Sequence, residues 1–398
     1  MKYKNNVLLV SGNIVSKMGS TLHNIALKSW LISISHNAAL LGWISALTTI
    51  PMLLFNFVSG YLADTKNKKR IIVVTDFVSG IVCLLFALLV NVNKIYVPLI
   101  LVVNITLAIC HSLFSPSLRA LVPAIISKET IKKTNAVLSN LTELVKIVSP
   151  ALTAYLLTID SISIKTLFVI NGVSFLLSSI SEMFIDYRYK NGNSKSSVKD
   201  LFYNIKDGFY YLKSHTVLFK LIIFAMITNL FLSGYNVLLP YYGEVILRDS
   251  KIYGIALSFE AAGAIIASFF IYLSKKKEVD LNDIVKATIP QGLSLIIGAY
   301  PHSYALFISV FLFGYFLSRF NVLFFTYIQS NCDENYLGRV FSVIFTMAGV
   351  LMPLGDIIFG YVSSILANYT FVVIGGGILI TTLFIFNKKQ KVNQIYNP

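Results

Sequence analysis

Long apolar runs separated by short polar turns constrain the fold of this chain more than any other feature. Residues 40–58 and 71–90 are almost purely apolar, and the turn between them ends in Lys68, Lys69 and Arg70. A helix needs about 20 apolar residues to cross the hydrocarbon core of a bilayer. The pattern predicts two membrane-spanning helices joined by a cytoplasmic turn, because short loops rich in Lys and Arg are retained on that side.

The composition places the whole chain in the same class. It is 56% hydrophobic and only 13% charged, with a mean hydropathy of +0.73, whereas a soluble chain is about 25% charged. The net charge of +15 would favour a nucleic-acid partner in a soluble protein, but here the basic residues fall in alternate loops. We therefore expect the lipid bilayer as a partner and no nucleic acid. The three cysteines lack paired spacing, so no metal site, disulfide framework or cofactor is expected.

Apolar runs and turn signals predict twelve spans, with both termini in the cytoplasm. They cover residues 8–34, 40–63, 71–90, 95–122, 135–158, 164–185, 218–241, 253–274, 283–299, 304–328, 338–367 and 370–386. The first is interpreted as a retained span and not a signal peptide, because Lys17, His23 and Asn24 interrupt it. In this topology the inner segments hold 23 Lys and Arg residues and the outer loops hold four, which is a strong positive-inside bias.

The predicted fold class is an all-α membrane protein with twelve transmembrane helices in two pseudo-symmetric six-helix bundles. The bundles are expected over residues 1–186 and 217–398, with a cytoplasmic linker at 187–216. Pro150 and Pro353 stand at corresponding positions of the two halves, as in carriers that form a central site at a repeat interface. The linker includes an amphipathic helix, which either lies on the inner membrane surface or packs under a bundle.

Several motifs resemble the major facilitator superfamily of secondary transporters. The first is Gly-Tyr-Leu-Ala-Asp at 60–64 with the basic cluster after it, although Thr65 and Asn67 replace the Arg and Gly that are common in the family. The resemblance implies a gating loop in which Asp64 latches against neighbouring helices; the alternative is a plain basic loop. The residues of this gating loop are Gly60, Asp64, Lys68, Lys69 and Arg70.

Other segments are similar to the macrolide-efflux and enterobactin-exporter branch of that family. They are Phe-Ser-Pro-Ser at 114–117, Ala-Leu-Val-Pro at 120–123 and Gly-Arg-Val at 338–340. Ser149 stands before Pro150, where antiporters usually have Gly, so the antiporter signature is incomplete. The resemblance implies a monomeric efflux carrier in the bacterial plasma (inner) membrane.

Ionisable residues inside spans are the best indication of a site, because charges at membrane depth normally face a cavity or a partner. The candidates for proton coupling are Glu143, Glu260 and Asp356. The candidates for lining a substrate cavity are Asn13, Lys17, Ser20, Asn24, Lys146, Asn229, Ser233 and Asn236. The alternative is structural: an ion pair of Glu143 with Lys146, or of Asp356 with Lys17 or Lys146.

Two further charged groups are interpreted as structural. Asp76 and Arg119 each lie one to two turns from the predicted inner surface, and we expect them to form a structural ion pair near Asp64. Glu182 is expected to be an ordinary charge at the membrane edge that reaches for water.

The sequence contains no nucleotide-binding loop and no catalytic cluster, so neither ATP-driven transport nor enzymatic activity is expected. The favoured function is proton-coupled efflux of a small amphipathic compound, such as a macrolide-type drug, by alternating access. A siderophore exporter or a lysophospholipid carrier is the alternative within this class. The alternative from another functional class is a non-transporting receptor or assembly subunit that keeps the carrier fold.

Overall fold

The computed structural model describes residues 2–126, 128–157, 159, 162–187, 198–249, 251–273, 279–333 and 336–386. The description excludes the side chains of 2–3, 57, 60–61, 63–64, 128–133, 135–136, 139, 198–205 and 338. Within the described ranges, all regular secondary structure is helical.

Fourteen helices follow one another along the described chain. The first six are α1 (Lys2–Ser35), α2 (Ala38–Thr65), α3 (Lys68–Leu89), α4 (Val97–Ile125), α5 (Lys128–Leu156) and α6 (Ile164–Met183). The next four are α7 (Val198–Ser214), α8 (Thr216–Tyr241, continued by a π-helical turn, Tyr242–Ile246), α9 (Lys251–Leu273) and α10 (Leu281–Ile297). The last four are α11 (Ser303–Asn331), α12 (Leu337–Val350), α13 (Met352–Leu366, followed by a 3-10 turn, Ala367–Tyr369) and α14 (Thr370–Phe386).

Eight segments of the described chain are long and apolar enough to cross a membrane. One of them, Arg339–Phe386, has 48 residues, which is enough for two crossings of about 20 residues each. Helices α1 and α5 fall outside this set because polar residues interrupt them, and α10 because it has only 17 residues. Adding these three helices and counting the 48-residue segment twice gives the twelve predicted spans.

Local capping explains the short turns between helices. Asn67 caps α3, and its side chain accepts the backbone N–H of Arg70 at 3.1 Å. Asn37 caps α2 in the same way, accepting the N–H of Ala39 at 2.9 Å. Such caps satisfy donors that a helix start leaves free. The basic turn between α2 and α3 is therefore as short as the sequence predicts.

The predicted eleventh span is not one continuous helix. It is divided at Leu351 into α12 and α13, and Pro353 lies in the first turn of α13. Proline fits a first turn because its missing N–H has no helical partner there, whereas inside a helix it removes a hydrogen bond. The break therefore follows from the proline, and α12 and α13 together cover the span predicted over 338–367.

The helices form two groups, α1–α6 and α8–α14, which meet through α2 with α13 and through α5 with α9. Glycines bring the backbones together: a Cβ at Gly42 would lie 2.3 Å from the Asp356 carbonyl oxygen, and one at Gly254 would lie 2.8 Å from that of Pro150. These approaches lie near the start of α2 and the end of α5, at the end of the molecule opposite the Lys-rich turn between α2 and α3.

Helix α7 packs against the second group of helices. Asp207 forms an ion pair with Arg339, and a Cβ at Gly208 would lie 2.8 Å from the Arg339 carbonyl oxygen. The ring of Tyr211 stacks on that of Tyr336 with centroids 4.4 Å apart. Of the two alternatives for the amphipathic helix, the described contacts favour packing under a bundle.

Candidate functional site

A cavity of about 720 Å³ lies inside the first group of helices. All six helices from α1 to α6 contribute to its wall. The predicted residues Asn13, Lys17, Ser20 and Asn24 line it from α1. Apolar side chains complete the wall, among them Phe114 on α4. The cavity is therefore amphipathic.

One wall of the cavity is cationic. Lys17 donates a hydrogen bond to Thr142 Oγ1 at 3.4 Å, and Arg119 lines the same cavity from α4. The charges of Arg119 and Lys146 both act on Lys17. This clustering of positive groups at one surface favours anions or hydrogen-bond acceptors on that side of a bound molecule.

Glu143 and Lys146 form an ion pair at 2.7 Å, with side chains 48% and 57% exposed. Neither residue lines the cavity. They are separated by one helical turn on α5, where i,i+3 pairs meet on the surface. This geometry agrees with the alternative in which Glu143 and Lys146 form a structural ion pair. The charge of Glu143 does, however, act on Lys17.

A second cluster of charged groups is acidic and lies between α3 and α6. Asp76 is 3% exposed and Glu182 is fully buried. Ser178 donates to Glu182 Oε1 at 3.5 Å, and the Ser179 hydroxyl, one turn from Glu182, donates at 2.9 Å to the carbonyl of Val73, one turn from Asp76. The second carboxylate oxygens, Asp76 Oδ2 and Glu182 Oε2, have no hydrogen-bond partner.

This arrangement corrects two expectations. Arg119 lines the cavity with Asp76 but forms no ion pair with it among the described residues, because Asp76 is buried where α3 packs against α6. Glu182 is not a charge at the membrane edge; the packing of α6 against α1 and α3 removes it from water.

The three cavity candidates from the second half lie elsewhere. Asn229 donates to the Ala225 carbonyl of its own helix at 2.8 Å. Ser233 donates to the Met352 carbonyl at 2.9 Å and thereby ties α8 to the start of α13. Asn236 is exposed, and its carbonyl accepts from Lys28 at 3.5 Å. None of the three lines the 720 Å³ cavity, because their polar atoms serve local packing.

The other two proton-coupling candidates also have defined neighbours. Tyr235 donates to Glu260 Oε2 at 2.7 Å. Asp356 is buried where α13 meets α2, and the charge that acts on it is that of Lys28. Among the described residues Asp356 forms no ion pair with Lys17 or Lys146, and Lys28 is the cation at the end of α1 where the two halves meet.

Part of the predicted gating loop can be placed. Lys69 donates to the Met183 carbonyl at 2.8 Å and ties the turn to the end of α6. Lys68 is half-buried and Arg70 is exposed. The side chains of Gly60 and Asp64 lie outside the described residues, so the latch expected of Asp64 stays a prediction.

His23 is a cavity residue that the sequence did not single out as a site. Its side chain is 1% exposed, neither ring nitrogen has a hydrogen-bond partner, and the ring lies 4.8 Å from that of Phe168. The available signal was a histidine in an apolar span, one position before Asn24 on the predicted polar stripe.

Two groups of membrane-spanning helices, with an amphipathic cavity inside the first group, define a polytopic carrier protein. Residues 9–356 match the family model of the Major Facilitator Superfamily. The chain therefore belongs to this superfamily, and it is a multi-pass membrane transporter and not an enzyme. The predicted family and fold class are confirmed.

Known proteins similar to this chain are bacterial. The MFS-type transporter YvqJ of Bacillus subtilis is 26% identical over 73% of this chain and 71% of its own. Macrolide efflux protein A of Streptococcus pyogenes is 21% identical over 87% of this chain and 86% of its own. The staphyloferrin A transporter of Staphylococcus aureus is 22% identical, over 96% of both chains. These relatives agree with location in a bacterial inner membrane.

Solved structures share the fold. The nucleoside transporter NupG aligns with a TM-score of 0.72 at 13% identity, over 97% of this chain and 98% of its own. A bacterial homologue of the iron transporter ferroportin, in an inward-facing state, aligns with a TM-score of 0.68 at 17% identity, over 97% and 98%. At these identities the likeness concerns the fold alone.

Proposed function

We propose that this protein exports a small amphipathic compound across the bacterial inner membrane by alternating access, coupled to proton entry. The observation that carries the proposal is the amphipathic cavity of about 720 Å³ inside the first group of helices. Polar and apolar walls suit a molecule that has both kinds of surface. Macrolide efflux protein A and the putative bacilysin exporter BacE are among the named relatives.

The contacts between the halves support an inward-open state. Ser29 donates to Glu244 Oε1 at 2.6 Å, and Trp43 donates to the Tyr361 hydroxyl at 3.2 Å. Both contacts, like the close approach at Gly42, join the halves at the end opposite the Lys-rich turn. Because basic loops stay in the cytoplasm, the joined end faces outward, which fits a carrier loading its cargo from inside the cell.

Asp356 and Glu260 are the proposed proton-coupling residues of the second half. Asp356 lies at the contact of the halves with Lys28 as its charged neighbour, so rocking the halves would change its surroundings. Glu260 accepts a hydrogen bond from Tyr235. Glu143 is the weakest of the three candidates because it is exposed and paired.

A second candidate function is export of an acidic compound such as a siderophore. It is favoured by one observation, the cationic wall formed by Lys17 and Arg119, with Lys146 beside it. One relative is named as a staphyloferrin A transporter. A lysophospholipid, whose headgroup carries a phosphate, would use the same wall.

An accumulation assay separates these functions. Cells that make the protein should retain less labelled erythromycin than control cells, and a protonophore should abolish the difference. Lys17→Gln should weaken efflux of an acidic siderophore more than efflux of erythromycin. The matched control is Lys94→Gln, which removes an exposed lysine outside the cavity.

Three outcomes would contradict parts of this proposal. Efflux that persists with the protonophore removes proton coupling. Efflux of siderophore but not erythromycin selects the second function. No efflux of any macrolide, siderophore or lysophospholipid by folded protein favours the receptor or assembly subunit.

Orientation is tested by labelling. With a membrane-impermeant maleimide on intact cells, Lys94→Cys should react and Lys66→Cys should not, since both side chains are exposed but stand at opposite ends of α3. The three native cysteines are buried. Reaction at position 66 from outside would reverse the topology and the direction of transport.

A further inference from the structure

The acidic cluster between α3 and α6 has no role in the function proposed above. Asp76 and Glu182 are both more than nine-tenths buried, and each has one carboxylate oxygen without a hydrogen-bond partner. Ser178 has a single hydroxyl proton to offer to both carboxylates, and its contact with Glu182 is long at 3.5 Å. The cluster lacks the donors that two buried carboxylates require.

No cation compensates for the two acids among the described side chains. From α1, Gly12 covers Ser178, with a built Cβ 3.1 Å from its Oγ, while His23 and Lys17 face the cavity. From α4, the ionisable groups that line the cavity with Asp76 include the thiol of Cys110 and the guanidinium of Arg119.

Two cations lie near these helices, but neither forms a described ion pair with the acids. Arg119 on α4 lines the cavity without pairing with Asp76. Lys69, at the start of α3, is held by the Met183 carbonyl. Neither Lys69 nor Arg119 therefore neutralises the acidic pair.

Two negative charges cannot be buried side by side without a counter-ion, because both desolvation and mutual repulsion oppose it. One shared proton removes both costs, since a carboxylic acid then donates to the neighbouring carboxylate in a strong O–H···O bond. The proton also supplies the donor that Ser178 cannot.

We propose that Asp76 and Glu182 bind one proton between them and form a proton-exchange site in the first half of this carrier. Asp76 lines the cavity and is the entrance for the proton, which passes between its carboxylate and cavity water. Glu182 lies behind it, fully buried. This inference deepens the proposed proton coupling and rests on it, and it adds a buried site in the first half to Glu260 and Asp356 of the second half.

Infrared spectroscopy of the purified full chain in lipid nanodiscs tests for the proton without any substrate. The wild-type protein should show the C=O stretch of a protonated carboxyl near neutral pH, shifted by deuterium. Asp76→Asn and Glu182→Gln should each remove the part of that band that comes from this pair, measured as the difference from the wild-type spectrum. Asp186→Asn is the matched control, because its exposed side chain lies one turn beyond Glu182 and the band should persist.

Both amide variants should fold, because they imitate the protonated acids and remove buried charge. If either does not fold, the double variant Asp76→Asn/Glu182→Gln serves instead. A band that persists in these variants overturns the proposal. A second outcome would also overturn it. If sodium chloride raises the thermal stability of the wild type more than choline chloride does, and Asp76→Asn abolishes the difference, the pair is a sodium site.

Transport separates this inference from the proposed function. In proteoliposomes that contain a pH-sensitive dye, erythromycin should drive proton movement in the wild type and in Asp186→Asn, and Asp76→Asn should lose at least tenfold in initial rate. Equal proton movement in the wild type and Asp76→Asn overturns the inference while proton coupling stands. If the wild type moves no protons although the infrared band is present, both the proton coupling and its assignment to this pair are refuted. The pair would then bind a proton without exchanging it during transport.

Discussion

At the scale of single residues, the partner of each buried charge decides what that charge can do. Lys28 and Asp356 act on each other across the two halves, so their interaction can change when the halves move. Glu143 and Lys146 sit on one helix, and their distance does not depend on the arrangement of the halves. The same types of side chain therefore have different significance for transport.

Glu143→Gln should leave stability almost unchanged. Exposed i,i+3 ion pairs contribute about 0.5 kcal/mol or less, because water screens them, and the Glu143–Lys146 pair is about half exposed on both sides. Thermal unfolding in detergent measures the effect, with Lys146→Gln as the reciprocal change. A loss of stability above about 2 kcal/mol would show that the pair has a buried partner in another state of the carrier.

The sequence predicts positions along a helix better than partners across helices. Asn13, Lys17, Ser20 and Asn24 share a stripe of α1, and the structure places all four at the cavity. Helical periodicity does not say which neighbour a side chain meets. The sequence therefore paired Asp76 with Arg119, whereas the structure buries Asp76 against α6. The burial of Glu182 was missed because α1 covers it only in the folded bundle.

At the scale of helices, glycine determines how closely α2 approaches α13. The contact at Gly42 is backbone against backbone: the nearest atoms to an added Cβ are the carbonyl oxygen and carbon of Asp356, at 2.3 and 3.1 Å. Neither can rotate away as a side chain could. The joined end of the two halves therefore depends on the absence of a methyl group at this position.

Gly42→Ala should open the joined end. Overpacking of this kind costs about 1–3 kcal/mol, and about 1.4 kcal/mol changes an equilibrium tenfold. We expect the efflux rate to fall about tenfold while the protein still folds. Efflux measured beside Gly376→Ala provides the control, because a Cβ at Gly376 would meet nothing within 4 Å. Equal rates for both variants would show that α2 and α13 do not close this way.

The Asp207–Arg339 pair connects α7 to the start of α12, next to the stacked rings of Tyr211 and Tyr336. The sequence predicted the amphipathic helix but not its docking, because its polar face suits water and an ion pair equally well. Asp207→Asn should weaken docking by about 1 kcal/mol, since both side chains are partly exposed. Hydrogen exchange of residues 206–214 should then accelerate several-fold.

The matched control for this helix is Lys213→Gln, which removes an exposed charge from its last turn. Exchange in that control should equal the wild-type rate. If Asp207→Asn also exchanges at the wild-type rate, the aromatic stack and Gly208 hold α7 without the ion pair.

At the scale of the whole molecule, polar contacts and close glycine approaches join the two halves at the end opposite the Lys-rich turn. The twelve spans and the grouping of the helices followed from apolar runs and basic loops, because both depend on composition along the chain. The cavity's location inside the first half did not, because it depends on how six helices pack, and neither hydropathy nor charge placement specifies that.

The contact between Trp43 and Tyr361 allows the joined end to be trapped. Both side chains are partly exposed, and the indole Nε1 lies 3.2 Å from the Tyr361 hydroxyl. A reducible bifunctional maleimide applied to Trp43→Cys/Tyr361→Cys should tie α2 to α13 and stop efflux, because alternating access requires this end to open. Reduction should restore efflux to the rate of the untreated double variant. Each single-cysteine variant, treated alike, controls for labelling. Efflux that continues in fully cross-linked protein would mean that substrate leaves without separation of α2 and α13.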